Sequence, residues 1–407
     1  MNPVVDPQLE PARPGDGPPP DAAGLHATAA GEEQMYLAIV ATPTREPQES
    51  ARRHYADVAL LLRERGLRIV HERLFGSLAV EAEVRAGRAA ALREAGVSSA
   101  TPITYIQGHP PWGEGFAGAQ LLTVSPRSAA SEVWTLRDEG RPCGRAWRTG
   151  GATFLYLHGL HGLVNGSAPG TRAEETRRMI ERAERILSAA GASYGDVIRT
   201  WFYLNDILDW YAEFNAARSA KYSELGIMPD GDGSRILLPA STGIAGVAPH
   251  RSAGSLDLIA AFGSPAERPR VRQLSSPGQR DAFRYGSAFS RGAVICEAEA
   301  CVLQLSGTAS IDENGATAHI GDPRGQIECT LDKIETLLAQ EGAHLRDICS
   351  ATAFVKKPAY AALFWQIVRE RGLEAFPAVC VVADVCRPDL LFEMDGEVLF
   401  HHEHPMA

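Results

Sequence analysis

The stretch LQLSGTASIDENGATAHIGDPRGQIECTLDKIETLLAQEGAHLRDICSATAFVK, residues 303–356, decides the fold. Its middle part has the apolar spacing of an amphipathic helix, and Gly342 follows where that helix must end, a position that favours the left-handed conformation. Asp347 comes five residues after the glycine, and Ile348 to Val355 is a β-branched and aromatic run. The stretch therefore predicts a helix, a glycine stop, a short turn and a strand.

The same order of features recurs upstream in the chain. Gly191 ends a second predicted helix, Asp196 again follows after five residues, and a β-branched and aromatic strand comes next. In both copies a second amphipathic helix follows the strand, and a further strand then begins at a proline, Pro239 in one copy and Pro377 in the other. The order of the predicted elements, their spacing and the glycine and proline residues at their ends all recur. We therefore interpret the two stretches as copies of one structural unit.

A third and more diverged copy lies nearer the N-terminus. His54 to Arg65 predicts a helix that Gly66 ends, Leu67 to Leu74 a strand, and Val80 to Ala95 a second helix before Pro102. The aspartate of the other copies is missing here. The sequence thus predicts an α/β (α+β) protein of three similar units around a pseudo-threefold axis, with ligand sites in the clefts between units. The alternative is three unrelated α/β units.

The chain of 407 residues is long enough for several packed cores. Its beginning is rich in Pro, Gly, Ala and Asp and has no apolar core behind a basic start, so we predict a disordered leader rather than a signal peptide. The predicted boundaries are a leader at 1–33, a degenerate first unit at 34–130, a second unit at 150–264 and a third unit at 280–402.

Charge and composition exclude several classes of protein. A net charge of −10 argues against general nucleic-acid binding, and no apolar run has membrane-spanning length. The seven cysteines form no CxxC pair, so we expect reduced thiols in a cytoplasmic protein. His158 and His161 have no third ligand evident in the sequence, and the terminal HHEHP, residues 401–405, is interpreted as solvated. No metal site is predicted.

The third copy resembles the RidA/YjgF family of reactive-intermediate deaminases, whose members are homotrimers with ligand sites between subunits. From about Met35 to Phe400 the chain is also similar to the chorismatases, which use the same fold. The motifs that carry this second resemblance are PITYIQGHPPWGEGFAGAQ (102–120), WFYLNDI with the following LPASTGIAG (201–246), FRYGSAFSRG (283–292), LSGTASID (305–312) and ADVCRPDLLFEMDGE (383–397). The resemblance implies three fused units that form a pseudo-trimeric monomer, chorismate as the substrate, and no cofactor.

Glu393 is the first candidate catalytic residue. It alternates with apolar residues in DLLFEMDGEV, so a strand that places it inward desolvates its carboxyl group, which raises its pKa and suits a general acid. The alternative is a solvent-facing glutamate at a sheet edge. The resemblance implies an acid at this strand position, and it implies a catalytic role for Cys386, because chorismatases that make 3-hydroxybenzoate have a cysteine at this spacing. Without the resemblance, Cys386 is a small buried hydrophobe.

Chorismate has two carboxylates, so its site needs fixed positive groups, preferably arginines. Arg218 shares a helix face with Asn215 and Tyr222, and the alternative for any helix arginine is a solvated surface charge. The remaining candidate substrate-binding residues are Tyr222 on the same helix face, Arg369 on the matching helix of the third copy, Arg235, Tyr285, Ser306, Gly307 and Tyr203. The deaminase family has an arginine two residues after the strand-leading proline, whereas this chain has Ser241 and Val379 there.

These observations predict a chorismatase that releases pyruvate and a hydroxybenzoate, with the 3-hydroxy isomer preferred and the 4-hydroxy isomer left open. Glu393 in its acid form is expected to protonate the enolpyruvyl ether. Two alternatives stay open at this point: an imine or enamine deaminase of the wider family, which the missing arginine disfavours, and a non-catalytic small-molecule binding protein on the same scaffold.

Overall fold

A computed structural model describes residues 18–126, 131–168, 170–228, 237–264, 266–275, 287–297 and 300–401. These residues form three sheets, each with two α-helices on one face, and we call the corresponding parts of the chain unit 1 (24–124), unit 2 (132–262) and unit 3 (270–401). The predicted three-unit α/β architecture is confirmed. None of the described helices is both long and apolar enough to span a bilayer.

Unit 1 has a five-stranded sheet in the order β1-β2-β5-β3-β4. Its elements are β1 (Gly24–Ala30), β2 (Gln34–Val40), α1 (Pro47–Arg65), β3 (Arg68–Gly76), α2 (Glu81–Glu94), β4 (Thr104–Gln107) and β5 (Phe116–Val124). The prediction of a disordered leader is wrong for Gly24–Ala30, since this segment pairs antiparallel with β2 along its whole length. Most of its side chains are small, so the segment has no clear apolar alternation in the sequence. Residues 1–17 lie outside the described part of the chain.

Units 2 and 3 each have a six-stranded sheet, in the orders β10-β9-β11-β8-β7-β6 and β12-β13-β14-β17-β15-β16. Unit 2 consists of β6 (Glu132–Asp138), β7 (Arg141–Thr149), β8 (Ala152–Leu160), α3 (Arg172–Ala189), β9 (Val197–Leu204), α4 (Ile207–Glu224), β10 (Ala240–Ala245) and β11 (Gly254–Phe262). Unit 3 consists of β12 (Arg270–Leu274), β13 (Gly292–Glu297), β14 (Ala300–Ala309), α5 (Pro323–Ala339), β15 (Ile348–Val355), α6 (Ala359–Glu370), β16 (Ala378–Val382) and β17 (Phe392–His401). Both units begin before the expected residues 150 and 280, because additional edge strands precede them.

The recurring glycine and aspartate have distinct structural roles. Gly191 and Gly342 have φ of +88° and +71°, the left-handed conformation that a residue with a side chain rarely adopts. Five residues later, the carboxylates of Asp196 and Asp347 accept hydrogen bonds from backbone N–H groups at 2.7 and 2.8 Å and cap a short 3₁₀ turn. Each pair of residues therefore ends one helix and starts the adjacent central strand.

Apolar side chains form two kinds of core. Each unit buries one cluster between its sheet and its two helices, for example around Leu62, Leu187 and Leu338. A further cluster contains residues from all three units, among them Phe75, Trp201 and Phe354, where the opposite faces of the sheets meet. The helices therefore lie outside, and the three sheets face one another around the pseudo-threefold axis.

The hairpin between β13 and β14 corrects the prediction for the cysteines. Cys296 and Cys301 form a disulfide across this hairpin, with their Cα atoms 4.1 Å apart. The expectation of reduced thiols throughout is wrong for this pair, because two cysteines five residues apart in sequence come opposite each other when the strands pair directly. Cys143, Cys329, Cys349, Cys380 and Cys386 are free.

Candidate active site

Three polar residues mark equivalent positions where neighbouring units meet. These residues lie on β5, β11 and β17, the strands that come last in the sequence of each unit. In the strand pairing, Gln120 is opposite Arg73, Asp257 is opposite Trp201 and Asp395 is opposite Thr352. Each side chain reaches the next unit: Thr352 donates to Gln120 at 3.2 Å, Thr104 donates to Asp257 at 2.7 Å, and Thr242 donates to Asp395 at 2.7 Å. These contacts define three seams, between units 1 and 3, units 2 and 1, and units 3 and 2.

Glu393 distinguishes the seam between units 3 and 2 from the other two. It lies two residues before Asp395 on β17, and the matching positions in the other units are Ser255 on β11 and Gly118 on β5. Residues two apart on a strand share a face of the sheet, so Glu393, Ser255 and Gly118 each lie on the face that is turned to a seam. The sheet register therefore gives a carboxyl group at this position to one seam of the three.

The carboxyl group of Glu393 is enclosed by residues of two units. It lies so close to the backbone of Gly307 that a Cβ atom at that glycine would collide with the carboxyl oxygen, and such a Cβ atom would also lie 3.3 Å from the methyl group of Thr242. Only 5% of Glu393 is exposed. Burial raises its pKa to about 8, with the negative charge of Asp395 acting in the same direction, whereas Arg199 and Arg291 oppose the shift. Glu393 is therefore protonated at neutral pH, as a general acid must be.

Asp395 is held in position by unit 2. Its Oδ2 accepts hydrogen bonds from Arg199 Nη2 at 2.9 Å, from the Trp201 indole N–H at 3.0 Å and from the Thr242 hydroxyl. Donors that stabilise the anion keep this carboxylate charged in the interior. The fixed anion then disfavours ionisation of Glu393 beside it.

Arg218 lies on α4 of unit 2 and is 1% exposed, so the alternative of a solvated surface charge is wrong. Its Nη2 donates to Asn215 Oδ1 at 2.7 Å, and its guanidinium lies 5.0 Å from the ring centre of Phe214. Its Nε has no hydrogen-bond partner, and no described carboxylate lies within ion-pairing distance of it. A buried cation without an anionic partner is costly, so this site is suited to an anionic ligand.

Tyr211 is a site residue that no sequence motif indicated. Cys386, Arg218, Glu393 and Asn215 all lie close enough to Tyr211 to influence its pKa. Tyr211, Asn215 and Arg218 are spaced four and three residues apart and so share one face of α4. The sequence shows this spacing, but spacing alone does not select Tyr211, because Tyr222 is four residues after Arg218 and so has the spacing of the same helix face. In the structure Tyr222 is buried in the core of unit 2.

Cys386 lies in the loop between β16 and β17 and is partly buried. Burial and the nearby Glu393 raise its pKa to about 12, so it is a neutral thiol at physiological pH. The loop turns at Arg387–Leu390, as Pro388 predicts. The thiol therefore comes close to Glu393, although the two residues are seven positions apart in the sequence.

A pocket of about 670 Å³ opens beside these groups on the seam between units 3 and 2. Unit 2 lines it with the N-terminal half of α4, including Tyr211 and Asn215, and unit 3 adds Ser287, Cys386 and Arg387. Glu393 and Arg218 lie behind this lining, close enough to influence the pKa of Tyr211. The pocket therefore has an aromatic wall, and a proton donor and a buried cation lie next to it.

The other candidate residues have varied positions. Tyr222 packs against Tyr194 in the core of unit 2, and Tyr203 lies near the axis, where its hydroxyl accepts a hydrogen bond from Arg73 at 3.4 Å. Ser306 binds the backbone of Ser290 and Ser241, so its hydroxyl links two strands. Arg369 is exposed on α6 and does not join the site, because its helix turns that position to solvent. Arg235 and Tyr285 lie outside the described residues.

Comparisons with known proteins agree with this architecture. A family model described as Endoribonuclease L-PSP matches residues 150–229. A 3-hydroxybenzoate synthase from Streptomyces hygroscopicus is 25% identical over 319 residues, which covers 72% of this chain and 88% of the relative. The 3-aminoacrylate deaminase RutC from Acinetobacter baylyi is 30% identical over 94 residues, 23% of this chain and 75% of the relative.

Among solved structures, a crystal structure of a chorismatase superposes with a TM-score of 0.58 and 20% sequence identity. The match covers 81% of this chain and 92% of that structure. The fold of this chain is therefore similar to that of the chorismatase structure, and the similarity extends over more than a single unit.

Proposed function

The chain belongs to the RidA/YjgF family, and we propose that its activity is the cleavage of chorismate to 3-hydroxybenzoate and pyruvate. The observation that carries this proposal is the protonated carboxyl group of Glu393 in the one seam that also has a buried, unpaired Arg218. The similarity to a 3-hydroxybenzoate synthase over most of both chains supports the same substrate and product.

Substrate binding requires two positive regions, because chorismate is a dicarboxylate. Arg218 supplies a desolvated guanidinium beside the pocket, and Arg387 lies on the pocket wall. Arg291 is also buried and close enough to Glu393 to lower its pKa. We assign one carboxylate to Arg218, where a charge-assisted hydrogen bond is strongest because water is excluded.

The chemical step requires a proton on the methylene carbon of the enolpyruvyl ether. Glu393 donates it, and the ether carbon becomes an oxocarbenium-like cation. The oxygen of the neighbouring ring hydroxyl then bonds to the ring carbon that carries the ether, while the bond from that carbon to the ether oxygen breaks. Pyruvate leaves with the ether oxygen, and the hydroxyl proton returns to the Glu393 carboxylate. The atoms of chorismate equal those of hydroxybenzoate plus pyruvate, so no water is consumed. The resulting three-membered C–O–C ring opens at the carbon that first carried the hydroxyl. Loss of the proton from the carbon that keeps the oxygen makes the ring aromatic with its hydroxyl at position 3, and this gain drives the reaction.

Cys386 contributes as a thiol in this scheme. Its pKa of about 12 excludes a thiolate that removes a proton at neutral pH. A soft, weakly hydrated side chain beside the ring instead keeps water from attacking the cation. The ring hydroxyl then competes successfully with water, which favours the aromatic product over a dihydroxy diene.

The alternative activity, imine or enamine deamination, has less support in the structure. Position 241 has a serine whose hydroxyl accepts a hydrogen bond from Thr200 at 2.8 Å, and Val379 is buried in the shared core, so neither supplies the family's carboxylate-binding arginine. We further propose a pseudo-trimeric monomer without nucleic-acid partners. The net charge of −10 supports the absence of nucleic-acid partners, and the presence of three units in one chain supports the pseudo-trimer.

Incubation of the purified protein with chorismate tests the proposal. We expect loss of substrate absorbance together with stoichiometric pyruvate and 3-hydroxybenzoate, measured by chromatography. Turnover of an imine substrate without turnover of chorismate supports the deaminase. Binding of chorismate without any product supports a binding protein.

A further inference from the structure

A second cluster of chemically active side chains lies on the seam between units 2 and 1, away from Glu393. It consists of His71 on β3, His158 on β8 and Asp257 on β11, all buried. One nitrogen or oxygen atom of each residue lies within 4.8 Å of the others. Among the described residues this is the only group of three or more side chains with metal-ligating atoms so close together.

Asp257 is oriented by a shell of donors. Its Oδ1 accepts hydrogen bonds from the Thr104 hydroxyl and from the backbone N–H of Gly159, both at 2.7 Å. Its Oδ2 faces His71 Nε2 at 3.1 Å. Outer donors that fix a carboxylate in this way are a regular feature of metal sites, because they set the direction of the remaining oxygen.

His158 has one ring nitrogen fixed and the other unused. Its Nε2 lies 3.2 Å from the carbonyl oxygen of Val70, so that nitrogen is the donor and Nδ1 has the lone pair. Nδ1 is buried and has no hydrogen-bond partner. A buried acceptor without a partner is costly, and the same backbone contact is the usual second-shell arrangement of a ligating histidine.

The donor atoms of the cluster suit a divalent cation. Two imidazoles and one carboxylate converge in a buried part of the seam, and a metal ion at His71 Nε2 would displace the proton that this nitrogen donates to Asp257 Oδ2. Arg73 and Arg199 also face this region, and each is paired with a carboxylate of unit 3, Glu397 and Asp395.

We propose that His71, His158 and Asp257 bind one divalent transition-metal ion, with Zn²⁺ as the best match, and that the ion ties unit 1 to unit 2. Two imidazole nitrogens and one carboxylate oxygen are ligands that zinc prefers. Ligands about 2.0–2.1 Å from a tetrahedral ion are roughly 3.4 Å apart, so small side-chain rotations bring the three groups into position.

Zinc titration of the full chain tests this site. The protein is freed of metal with a chelator and titrated with Zn²⁺ alone in competition with a chromophoric indicator. We expect one equivalent of tightly bound zinc and a rise in the melting temperature, because the ion binds the folded state. His71→Gln, His158→Gln and Asp257→Asn are each expected to weaken binding on the order of 10²-fold or more.

Two controls make the result specific. His161 is a half-buried histidine of unit 2 whose ring lies 4.4 Å from that of His250, so His161→Gln perturbs a pair of histidines outside the cluster. The second control replaces the terminal His401, His402 and His404 by Ser, because a histidine-rich segment can bind zinc independently of the fold. Both controls are expected to keep the tight equivalent.

Loss of the tight equivalent in the terminal variant overturns the proposal, as does unchanged affinity in the three cluster variants. If a cluster variant does not fold, Co²⁺ replaces Zn²⁺ in the terminal variant, which leaves the cluster intact. Stoichiometric Co²⁺ uptake with visible d–d absorption supports nitrogen and oxygen ligation at the cluster. Absence of uptake contradicts it.

Discussion

Glu393 and Asp395 are two residues apart on β17 and lie on one face of the sheet, but they are in opposite protonation states. Asp395 is held as an anion by Arg199, Trp201 and Thr242 of the neighbouring unit. No comparable set of described donors surrounds Glu393, and burial together with the Asp395 charge raises its pKa to about 8. One strand thus supplies both the proton donor and the charge that keeps it protonated.

The pKa of Glu393 predicts the pH dependence of turnover. As pH rises through about 8 the proton donor ionises, so kcat/KM for chorismate should fall. Asp395→Asn removes the adjacent negative charge, which lowers the pKa of Glu393 and moves the alkaline limb to lower pH. Profiles of kcat/KM against pH for both proteins check this, and a limb that does not move in Asp395→Asn would contradict it.

The same pKa predicts a change in stability with pH. The folded-state pKa of Glu393 lies above the value of 4.5 that it has when exposed, so its contribution to stability is greatest below pH 4.5 and is lost as pH rises to about 8. Glu393→Gln removes this dependence. Relative to wild type, the variant should gain on the order of a few kcal/mol between these limits. Urea unfolding at several pH values measures the gain, and a constant difference would show that Glu393 ionises normally.

Arg218 is predicted to hold a carboxylate of the substrate. Arg218→Met keeps much of the length of the side chain but removes the charge, so affinity for chorismate and for hydroxybenzoate should fall by about 1.5–3 kcal/mol. Arg369→Met on α6 is the matched control, because that arginine is exposed and away from the pocket. Calorimetric titration with chorismate measures the affinity of both variants. If Arg218→Met binds chorismate as tightly as Arg369→Met, Arg218 has only a packing role.

Cys386 is predicted to control the product rather than the rate of proton transfer. Cys386→Ala should still consume chorismate, with a lower share of 3-hydroxybenzoate and with a dihydroxy diene or a changed isomer ratio. Cys380→Ala, at a buried cysteine of the same unit outside the pocket, is the control. Product chromatography at matched conversion decides the matter, and identical profiles for the two variants would limit Cys386 to filling space.

The hydroxyl of Tyr211 lies close enough to Cys386 to influence the pKa of the thiol, so Tyr211→Phe tests the same wall of the pocket. Removal of the hydroxyl leaves the aromatic surface in place but removes this polar neighbour of the thiol. We expect a product shift in the same direction as in Cys386→Ala, with substrate affinity close to that of wild type. A large loss of affinity without a product shift would instead indicate that the hydroxyl binds the substrate directly.

The repeated features of the sequence predicted the fold because they record backbone requirements. A glycine with positive φ and an aspartate that caps a turn must recur wherever the same helix-to-strand connection recurs. In unit 1 the connection from Gly66 to β3 is shorter and needs no capping aspartate, which explains the diverged third copy. The extra edge strands were missed because short strands of mixed polarity carry little periodic signal.

The site was predictable only where one strand or helix determines it. The alternation around Glu393 indicated a desolvated carboxyl group, and the structure agrees. Arg218 and Arg369 lie on matching helices and look alike in the sequence, but the packing of the neighbouring unit buries one and leaves the other exposed. The approach of His71 to Asp257 joins residues 186 positions apart, which no local pattern records.

A combined binding and single-turnover measurement on Glu393→Gln tests most directly whether Glu393 protonates the substrate. Glutamine keeps the shape of the side chain but has no acidic proton. We predict chorismate binding close to that of wild type and a chemical step slower by roughly 10²-fold or more. Glu397→Gln, at a buried glutamate farther along β17, serves as the control and should keep most of the turnover. A Glu393→Gln variant that binds chorismate and converts it at the wild-type rate would contradict a proton-donor role for this residue.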